Sequence, residues 1–414
     1  MTIQNNSIDF TCPFCSLLCD DLKIITDGNK FSVPLKNSSC AKKIEAYNLN
    51  NLSNCVPLIK NKQSKLTDAV QKVKKVIKDH KEIIIINHGL DMVGMRSLLG
   101  FSSQYNCIID HVNSKFLYQN ISVIQKTGYM ATTLMETKNR GDTIIIFGNK
   151  IFDKSPRLLE RSLLAKNSLN VNKKRNIILV GNFNEKTVKS IKGKCNLINI
   201  KVNIDLIPSL LQSIGSTNDL LPKGVTRATI KKLKEIIKKS KYLVATWTAS
   251  DFSTSKNPDE IISCICKYIV DINVTQRAAC MPISGSLGDN TSSQVLTWLT
   301  GFPSRIKHMH NTYKHDRIAY DSNKLIDNGQ ADLAIHVSTL SKDVIYLNKK
   351  IKNIVLGHPN SKFTIKPDIF IPIGIPGIDY KSLMFRTDNV VSIPLEDIRN
   401  IKLPTAQSIF NQLM

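Results

Sequence analysis

The chain has 414 residues, a hydrophobic content of 42% and a formal net charge of +24. This length is enough for more than one domain, and the composition is that of a globular protein. The longest apolar runs are far shorter than the roughly 20 residues that span a bilayer, and the N-terminus does not resemble a secretory signal. We therefore expect a cytoplasmic protein with no membrane partner.

The excess of lysine does not by itself indicate nucleic-acid binding. In the helix predicted from Ala228 to Ser240, the lysines cover the polar face and leave one apolar stripe. Only 6% of the residues are aromatic, and they do not alternate with basic residues. We therefore expect no nucleic-acid partner.

Four cysteines stand within the first 40 residues. Cys12, Cys15 and Cys19 have the spacing C-x2-C-x3-C, and Cys40 follows at a distance. Four thiolates are the ligands of a [4Fe–4S] cluster, and a tetrahedral Zn²⁺ site is the other common use of such a set. Residues 1–60 are polar and lack long periodic runs, so they are predicted to form a small module that a metal holds together. The remaining cysteines are predicted to be small apolar core residues: Cys55, Cys107, Cys195, Cys264, Cys266 and Cys280.

From residue 61 onward, short apolar strands alternate with helices. Helices are predicted from Leu66 to Lys78 and from Pro156 to Ala165. Strands are predicted at Glu82–Asn87, Asp142–Gly148, Asn176–Gly181, Lys241–Thr246, Ala331–Val337, Lys352–Gly357 and Asp368–Pro372. This alternation is typical of a parallel sheet that is covered on both faces. The predicted fold class is α/β, with doubly wound parallel-sheet domains after the cysteine module.

Turn-forming residues near 215–224 indicate a domain boundary. We predict a cysteine module over 1–60 and α/β domains over 61–225 and 226–414, and nesting of one domain within another is left open. His88 follows a predicted strand, at the sheet edge where ligands of α/β proteins bind, although a histidine in a turn is the simpler interpretation. His308, His310 and His315 have no carboxylate or cysteine at ligand spacing, and we expect them at a surface.

Four stretches, in the same order, resemble the B-type subunit of formylmethanofuran dehydrogenase, a relative of the molybdopterin oxidoreductases. They are Cys12-Pro-Phe-Cys-Ser-Leu-Leu-Cys-Asp-Asp21, Thr133-Leu-Met-Glu-Thr-Lys-Asn-Arg-Gly-Asp142, Gln294-Val-Leu-Thr-Trp-Leu-Thr-Gly-Phe-Pro303 and Phe385-Arg-Thr-Asp-Asn-Val-Val391. The resemblance covers nearly all of the chain and implies a molybdopterin-oxidoreductase-like fold. It also implies that one segment lies near a pterin pocket, or now serves folding through helix-end charges and ion pairs: Glu136, Lys138, Asn139 and Arg140.

The sequence differs from the active family at the position of the catalytic metal ligand. In the active family a cysteine or selenocysteine ligates the metal, and this position falls on Phe116 when it is counted back from Gln125. Phenylalanine cannot ligate a metal, and Cys107 lies nine residues earlier, in a predicted strand. The loops that match the pterin-binding segments, at 148–153, 288–293 and 337–342, offer no paired phosphate cradle. We therefore expect no molybdopterin or tungstopterin and no catalytic residue, and we interpret Asp110 and His111 as candidate remnants of the site.

This combination resembles the beta subunit of the formyltransferase/hydrolase complex of methylotrophic bacteria. That resemblance implies a non-catalytic scaffold in a complex that converts formyl-tetrahydromethanopterin to formate through a formyl-furan carrier, in one-carbon metabolism. The implied partners are amidohydrolase-like, formyltransferase-like and glutamate-synthase-like subunits, and the positive charge suits acidic subunits or a polyglutamylated furan carrier.

Two questions stay open at this point. The alternative function is an active formylmethanofuran dehydrogenase B-type subunit with a molybdenum or tungsten pterin. For the cysteine module, one [4Fe–4S] cluster in a structural role is expected ahead of Zn²⁺, and the third possibility is that the four thiols hold no metal.

Overall fold

The computed structural model describes residues 7–27, 30–35, 38–49, 52–166, 168–169, 174–216, 221–285, 287–341 and 343–414. The chain forms two compact units. Unit 1 combines Met1–Ser114 with Ser286–Met414, and unit 2 is the continuous segment Lys115–Gly285. Throughout the described ranges, no helix is both long enough and apolar enough to cross a membrane.

The first segment of unit 1 begins with short antiparallel strands and continues with alternating strands and helices. Its strands are β1 (Ser7–Phe10), β2 (Leu22–Asp27), β3 (Lys30–Ser32), β4 (Leu58–Ile59), β5 (Lys62–Gln63), β6 (Ile83–Asn87) and β7 (Ile108–His111). Its helices are α1 (Ser38–Glu45), α2 (Leu66–Lys78) and α3 (Met92–Tyr105). On α2, Ala69, Val73 and Ile77 are buried because residues three to four apart share one helix face.

Unit 2 has the strand–helix alternation of a parallel α/β sheet. Its strands are β8 (Thr143–Phe147), β9 (Asn176–Val180), β10 (Asn196–Ile200), β11 (Tyr242–Trp247) and β12 (Arg277–Pro282). The helices are α4 (Ser114–Thr127), α5 (Leu134–Arg140), α6 (Ile151–Lys154), α7 (Glu185–Ile191), α8 (Ile207–Gly215), α9 (Arg227–Lys239) and α10 (Pro258–Ile272).

The chain then returns to unit 1 and completes its sheet. The strands of this second segment are β13 (Ile306–Met309), β14 (Thr312–His315), β15 (Leu333–Ser338), β16 (Lys352–Gly357), β17 (Ile369–Pro372), β18 (Ser382–Phe385) and β19 (Ser392–Leu395). The helices are α11 (Asp289–Thr300), α12 (Ser322–Asp327) and α13 (Ala406–Leu413).

Unit 1 is built around a nine-stranded sheet in the order β14-β13-β7-β6-β15-β16-β17-β4-β5. The strands from β7 to β17 are parallel, and antiparallel strands flank them at both edges. Ile83 and Ile85 face one buried apolar cluster, whereas Ile84 and Ile86 face another. Because both faces of β6 are covered in this way, its sequence is a continuous apolar run rather than an alternating one.

The sheet of unit 2 has five strands in the order β10-β9-β8-β11-β12, and all of them are parallel. One apolar cluster of this unit contains Trp247, Phe252 and Ile265 from β11 and the segments that follow it. The charge pattern of α9 is as predicted, since Ile230, Leu233 and Ile237 on the apolar stripe are buried and most of its lysines are exposed.

The mixed α/β class with parallel sheets is confirmed, and α2 and β16 have the predicted bounds. The helix predicted from Pro156 to Ala165 is wrong in extent, because only a π-helical turn forms there, at Leu159–Leu163. The predicted segments 1–60, 61–225 and 226–414 do not coincide with the two compact units. The reason is that β6 pairs with β15, which follows unit 2 in the sequence.

A pair of histidines lies between neighbouring strands of unit 1. His336 is on β15 and is 2% exposed, and His88 directly follows β6. Nε2 of His88 lies 3.1 Å from Nδ1 of His336, so one ring donates a hydrogen bond and the other accepts it. Burial lowers the pKa of His336 to about 4. Burial, and then the charges of His336 and His111, lower the pKa of His88 well below its usual value.

These pKa values predict that acid destabilises unit 1. Below about pH 6.5 an unfolded histidine binds a proton that the folded pair does not, so the free energy of unfolding falls as the pH drops towards 4. For His336 the loss across this window is roughly 3 kcal/mol. Urea unfolding at stepped pH values would measure it. His336→Gln should make the free energy of unfolding less dependent on pH, whereas the control His310→Asn, at an exposed site, should leave that dependence unchanged. If the unmodified protein and both variants show the same dependence, His336 is not its cause.

Candidate functional site

The four N-terminal cysteines lie on one short loop and on the helix α1. The backbone N–H of Cys12 donates to the carbonyl oxygen of Cys19 at 2.9 Å, which closes the loop between β1 and β2. Leu18 has φ +44°, and this left-handed conformation turns the chain back at the end of the loop. The ten cysteines of the chain all lie in the described ranges and form no disulfide.

The four thiols of the module influence one another electrostatically. Burial raises the pKa of the Cys12 thiol well above its usual value, and nearby charge on Cys15, Cys19 and Cys40 raises it further. The chemistry of four sulfur donors fits a [4Fe–4S] cluster or Zn²⁺. Their positions do not form a metal site: among the residues with a described placement, no three or more His, Cys, Asp or Glu side chains are grouped to hold a metal ion.

Apolar packing attaches the cysteine loop to the rest of unit 1. The ring of Phe14 stacks on Tyr47 with the ring centroids 3.9 Å apart, and Phe14 is 1% exposed. The hydroxyl of Tyr47 donates to the carbonyl oxygen of Leu340 at 2.6 Å. The backbone N–H of Thr387 donates to the carbonyl oxygen of Ser16 at 2.9 Å. The loop therefore has packed side chains of its own, which the prediction of a metal-held module did not include.

In unit 1, the direction in which successive strands are added reverses between β6 and β15. Open α/β sheets bind ligands at such a reversal, beyond the carboxyl ends of the strands. Here the chain's own backbone closes the strand ends: a Cβ on Gly288 would lie 2.9 Å from the Cα of Gly89. Asn87 fixes this contact, because its Oδ1 accepts the Gly89 N–H at 2.8 Å and its Nδ2 donates to the Ser292 hydroxyl at 2.6 Å.

Unit 2 has the same reversal between β8 and β11, and a carboxylate occupies it. Oδ1 of Asp251 accepts the backbone N–H groups of Asn149 and Lys150 at 3.0 and 2.7 Å. Oδ2 accepts the hydroxyl of Thr248 at 2.7 Å and its N–H at 3.3 Å. Burial raises the pKa of the Asp251 carboxyl group, and these hydrogen bonds act in the opposite direction. The carboxylate thereby joins the carboxyl ends of both strands.

Phe116 lies in the first turn of α4, where its partly buried ring packs against the apolar core of unit 2. Cys107 is fully buried in the core of unit 1, immediately before β7. Asp110 is also buried, and its carboxylate accepts the N–H of Ser322 at 3.0 Å and lies 3.4 Å from the Arg305 guanidinium. These contacts give Asp110 a role in holding unit 1 together.

The other residues singled out from the sequence lie on the helix α5 and on the hairpin β13–β14. Glu136 and Arg140 form a partly exposed ion pair on α5 at 3.3 Å, and the hydroxyl of Thr133 caps this helix by accepting the Glu136 N–H. Lys138 and Asn139 lie on the same helix. The hairpin β13–β14 carries His308 and His315 and has His310 at its turn, and Nδ1 of His308 lies 3.2 Å from Oδ1 of Asn106.

Sequence reasoning missed Asp251 and the contact between Gly89 and Gly288. A local signal for Asp251 exists, because Thr248-Ala-Ser-Asp251 has the Thr-x-x-Asp spacing of a capping box, which the structure forms. The contact of the two glycines has no local signal, since its partners are distant in the sequence and meet only through tertiary folding.

No family model matches the chain. Two curated proteins are similar along almost all of it, and each is the B-type subunit of a tungsten-containing formylmethanofuran dehydrogenase 2. The protein of Methanococcus maripaludis is 22% identical over 411 residues, which cover 95% of this chain and 93% of that protein. The protein of Methanocaldococcus jannaschii is 22% identical over 407 residues, with coverage of 92% and 91%.

Among solved structures, the formyltransferase/hydrolase complex FhcABCD from Methylorubrum extorquens, in complex with methylofuran, contains a chain of the same fold. The TM-score is 0.71 at 16% identity, and the match covers 86% of this chain and 97% of that chain. The chain is therefore similar in sequence, over almost its full length, to B-type subunits of formylmethanofuran dehydrogenase, and it shares its fold with a chain of the FhcABCD complex.

Proposed function

We propose that this chain is a non-catalytic scaffold subunit of a formyltransferase/hydrolase complex. In this role it would support the conversion of formyl-tetrahydromethanopterin to formate through a formyl-furan carrier, while other subunits carry the catalytic sites. We further propose that its two units and cysteine module correspond to a molybdopterin-oxidoreductase fold that has lost its metal–pterin centre. The fold shared with a chain of the FhcABCD complex supports this assignment.

The observation that carries the proposal is the packing of Phe116. The family resemblance assigns the catalytic metal ligand to this position, and here its ring contacts the apolar core of unit 2. An aromatic side chain has no lone pair to offer a metal, and its contribution is the burial of apolar surface. The occupied strand ends at Gly288 and Asp251 support this, because open α/β sheets bind their ligands beyond such strand ends.

The proposed partners are amidohydrolase-like, formyltransferase-like and glutamate-synthase-like subunits. A net charge of +24 favours acidic surfaces on these subunits or a polyglutamylated furan carrier. The names of the curated relatives favour a second candidate, an active tungsten or molybdenum formylmethanofuran dehydrogenase subunit. The two candidates differ in whether the chain carries a metal–pterin centre.

Purification of the tagged chain from its native host tests the proposed role. We expect stoichiometric copurification of an amidohydrolase-like and a formyltransferase-like subunit, together with formate release from formyl-tetrahydromethanopterin. Association should weaken as salt increases, because exposed charges are screened beyond about 10 Å at 0.1 M ionic strength. A chain that purifies alone, or with electron-transfer proteins in place of these subunits, would argue against the scaffold role.

Replacement of Phe116 by alanine should reduce stability without affecting catalysis. Because the ring is only partly buried, we expect Phe116→Ala to lower the free energy of unfolding by about 1–2 kcal/mol, less than for a fully buried phenylalanine. Phe116→Leu should cost less than half of that value. Urea unfolding and the formate-release rate per assembled complex provide the two readouts. A lower rate per complex at unchanged stability would indicate that Phe116 lies in a working site.

We propose that Cys12, Cys15, Cys19 and Cys40 hold one [4Fe–4S] cluster, which would tie the loop to α1 as a structural crosslink. Because no three of these thiols are grouped around a metal position in the described structure, binding would have to draw their sulfur atoms together. Burial is the main cause of the raised pKa of Cys12, and repulsion from the neighbouring thiolates adds to it; a bound cation offsets that repulsion. Iron, sulfide and zinc analysis of anaerobically purified protein tests this: about four iron atoms per chain are expected. One zinc atom per chain would show that the four cysteines bind Zn²⁺ and not a cluster. The absence of both iron and zinc would refute metal binding.

A further inference from the structure

The hydrogen bonds of Asp251 go beyond those of a helix cap. A capping box needs only the contacts between Asp251 and Thr248, which lie within one turn. Those contacts use Oδ2. The other oxygen, Oδ1, accepts the backbone N–H groups of Asn149 and Lys150, which follow the neighbouring strand β8. Capping therefore explains only half of the donors that surround this side chain.

The N–H groups of Asn149 and Lys150 are arranged like the donors of an anion-binding site. Successive backbone N–H groups that follow a turn form a concavity that binds anions such as phosphate. Gly148 has φ +82° and directly precedes the two donors, at the carboxyl end of β8. This is the point of strand reversal, where α/β sheets take their ligands. Asp251 presents its oxygens to donors that could serve the oxygens of a phosphate group.

Asp251 also fills the available space. A Cβ on Gly148 would overlap the Asp251 side chain, so glycine is required for the carboxylate to come this close. Asp251 is 5% exposed, and an ion from solvent cannot reach the two N–H groups while its side chain is in place. Nζ of Lys150 donates to the carbonyl oxygen of Ser250 at 3.1 Å, which adds a positive charge beside the same donors.

We propose that the Asp251 carboxylate is a built-in anion that occupies a phosphate-type site at the carboxyl ends of β8 and β11. Without the Asp251 carboxylate, this site would bind a phosphate group. Inorganic phosphate and pyrophosphate are the ligands to be tested. The side chain keeps such ligands out and holds the two strand ends together. This assignment concerns unit 2 alone and does not rest on the proposed scaffold role.

The test removes the carboxylate from the full-length chain and supplies phosphate in its place. In chloride buffer, Asp251→Ala should unfold at a lower temperature than the unmodified protein. At phosphate concentrations ten times the dissociation constant, its midpoint should rise by about 3–5 °C more than that of the unmodified protein at equal ionic strength. Calorimetric titration with pyrophosphate should show one site in the variant and none in the unmodified protein.

Two further variants make the result specific to this site. Asp153→Ala removes an exposed carboxylate from the nearby α6 and should respond to phosphate as the unmodified protein does. Asp251→Asn keeps the volume of the side chain and should gain no phosphate binding. If Asp251→Ala does not fold in chloride, its refolding yield in phosphate against chloride gives the readout. An absent phosphate effect in Asp251→Ala, or an equal one in the unmodified protein, would overturn the proposal.

Discussion

The pairing of β6 with β15 is the constraint on which the rest of unit 1 depends. These neighbouring parallel strands lie on opposite sides of unit 2 in the sequence. Their register sets Ile86 against His336, so it also brings His88 to His336. Gly89, which follows His88, lies against the Gly288 backbone. The entropy lost in closing so long a loop has to be offset, and the apolar clusters on both sheet faces provide the stabilisation.

The two sheets share one property at their points of strand reversal, which is that the chain itself occupies them. Unit 1 uses a contact between the backbones of Gly89 and Gly288, and unit 2 uses the carboxylate of Asp251. Both contacts lie at the strand ends where open α/β sheets bind their ligands. Together with the apolar surroundings of Phe116, they support the proposal that this chain serves assembly and not catalysis.

The sequence could predict those features that depend on local patterns. The bounds of α2 follow from its apolar spacing, and the strand at β16 from its continuous apolar run. The division into units could not be predicted in the same way, because it depends on which distant strands pair. Phe116 was located by resemblance, but its packing against unit 2 required the fold. Asp251 was overlooked because a polar residue after a strand is ordinarily interpreted as a loop residue, although its capping-box spacing was visible.

The central proposal is that this chain carries no molybdenum–pterin or tungsten–pterin centre, and its content of these metals and of pterin tests it most directly. The complex should be purified anaerobically from the native host, then analysed for tungsten and molybdenum by mass spectrometry and for pterin by fluorescence after oxidation. The account predicts that neither metal nor pterin is present in stoichiometric amount relative to this chain. One tungsten or molybdenum atom per chain, accompanied by pterin, would contradict it and establish the active dehydrogenase.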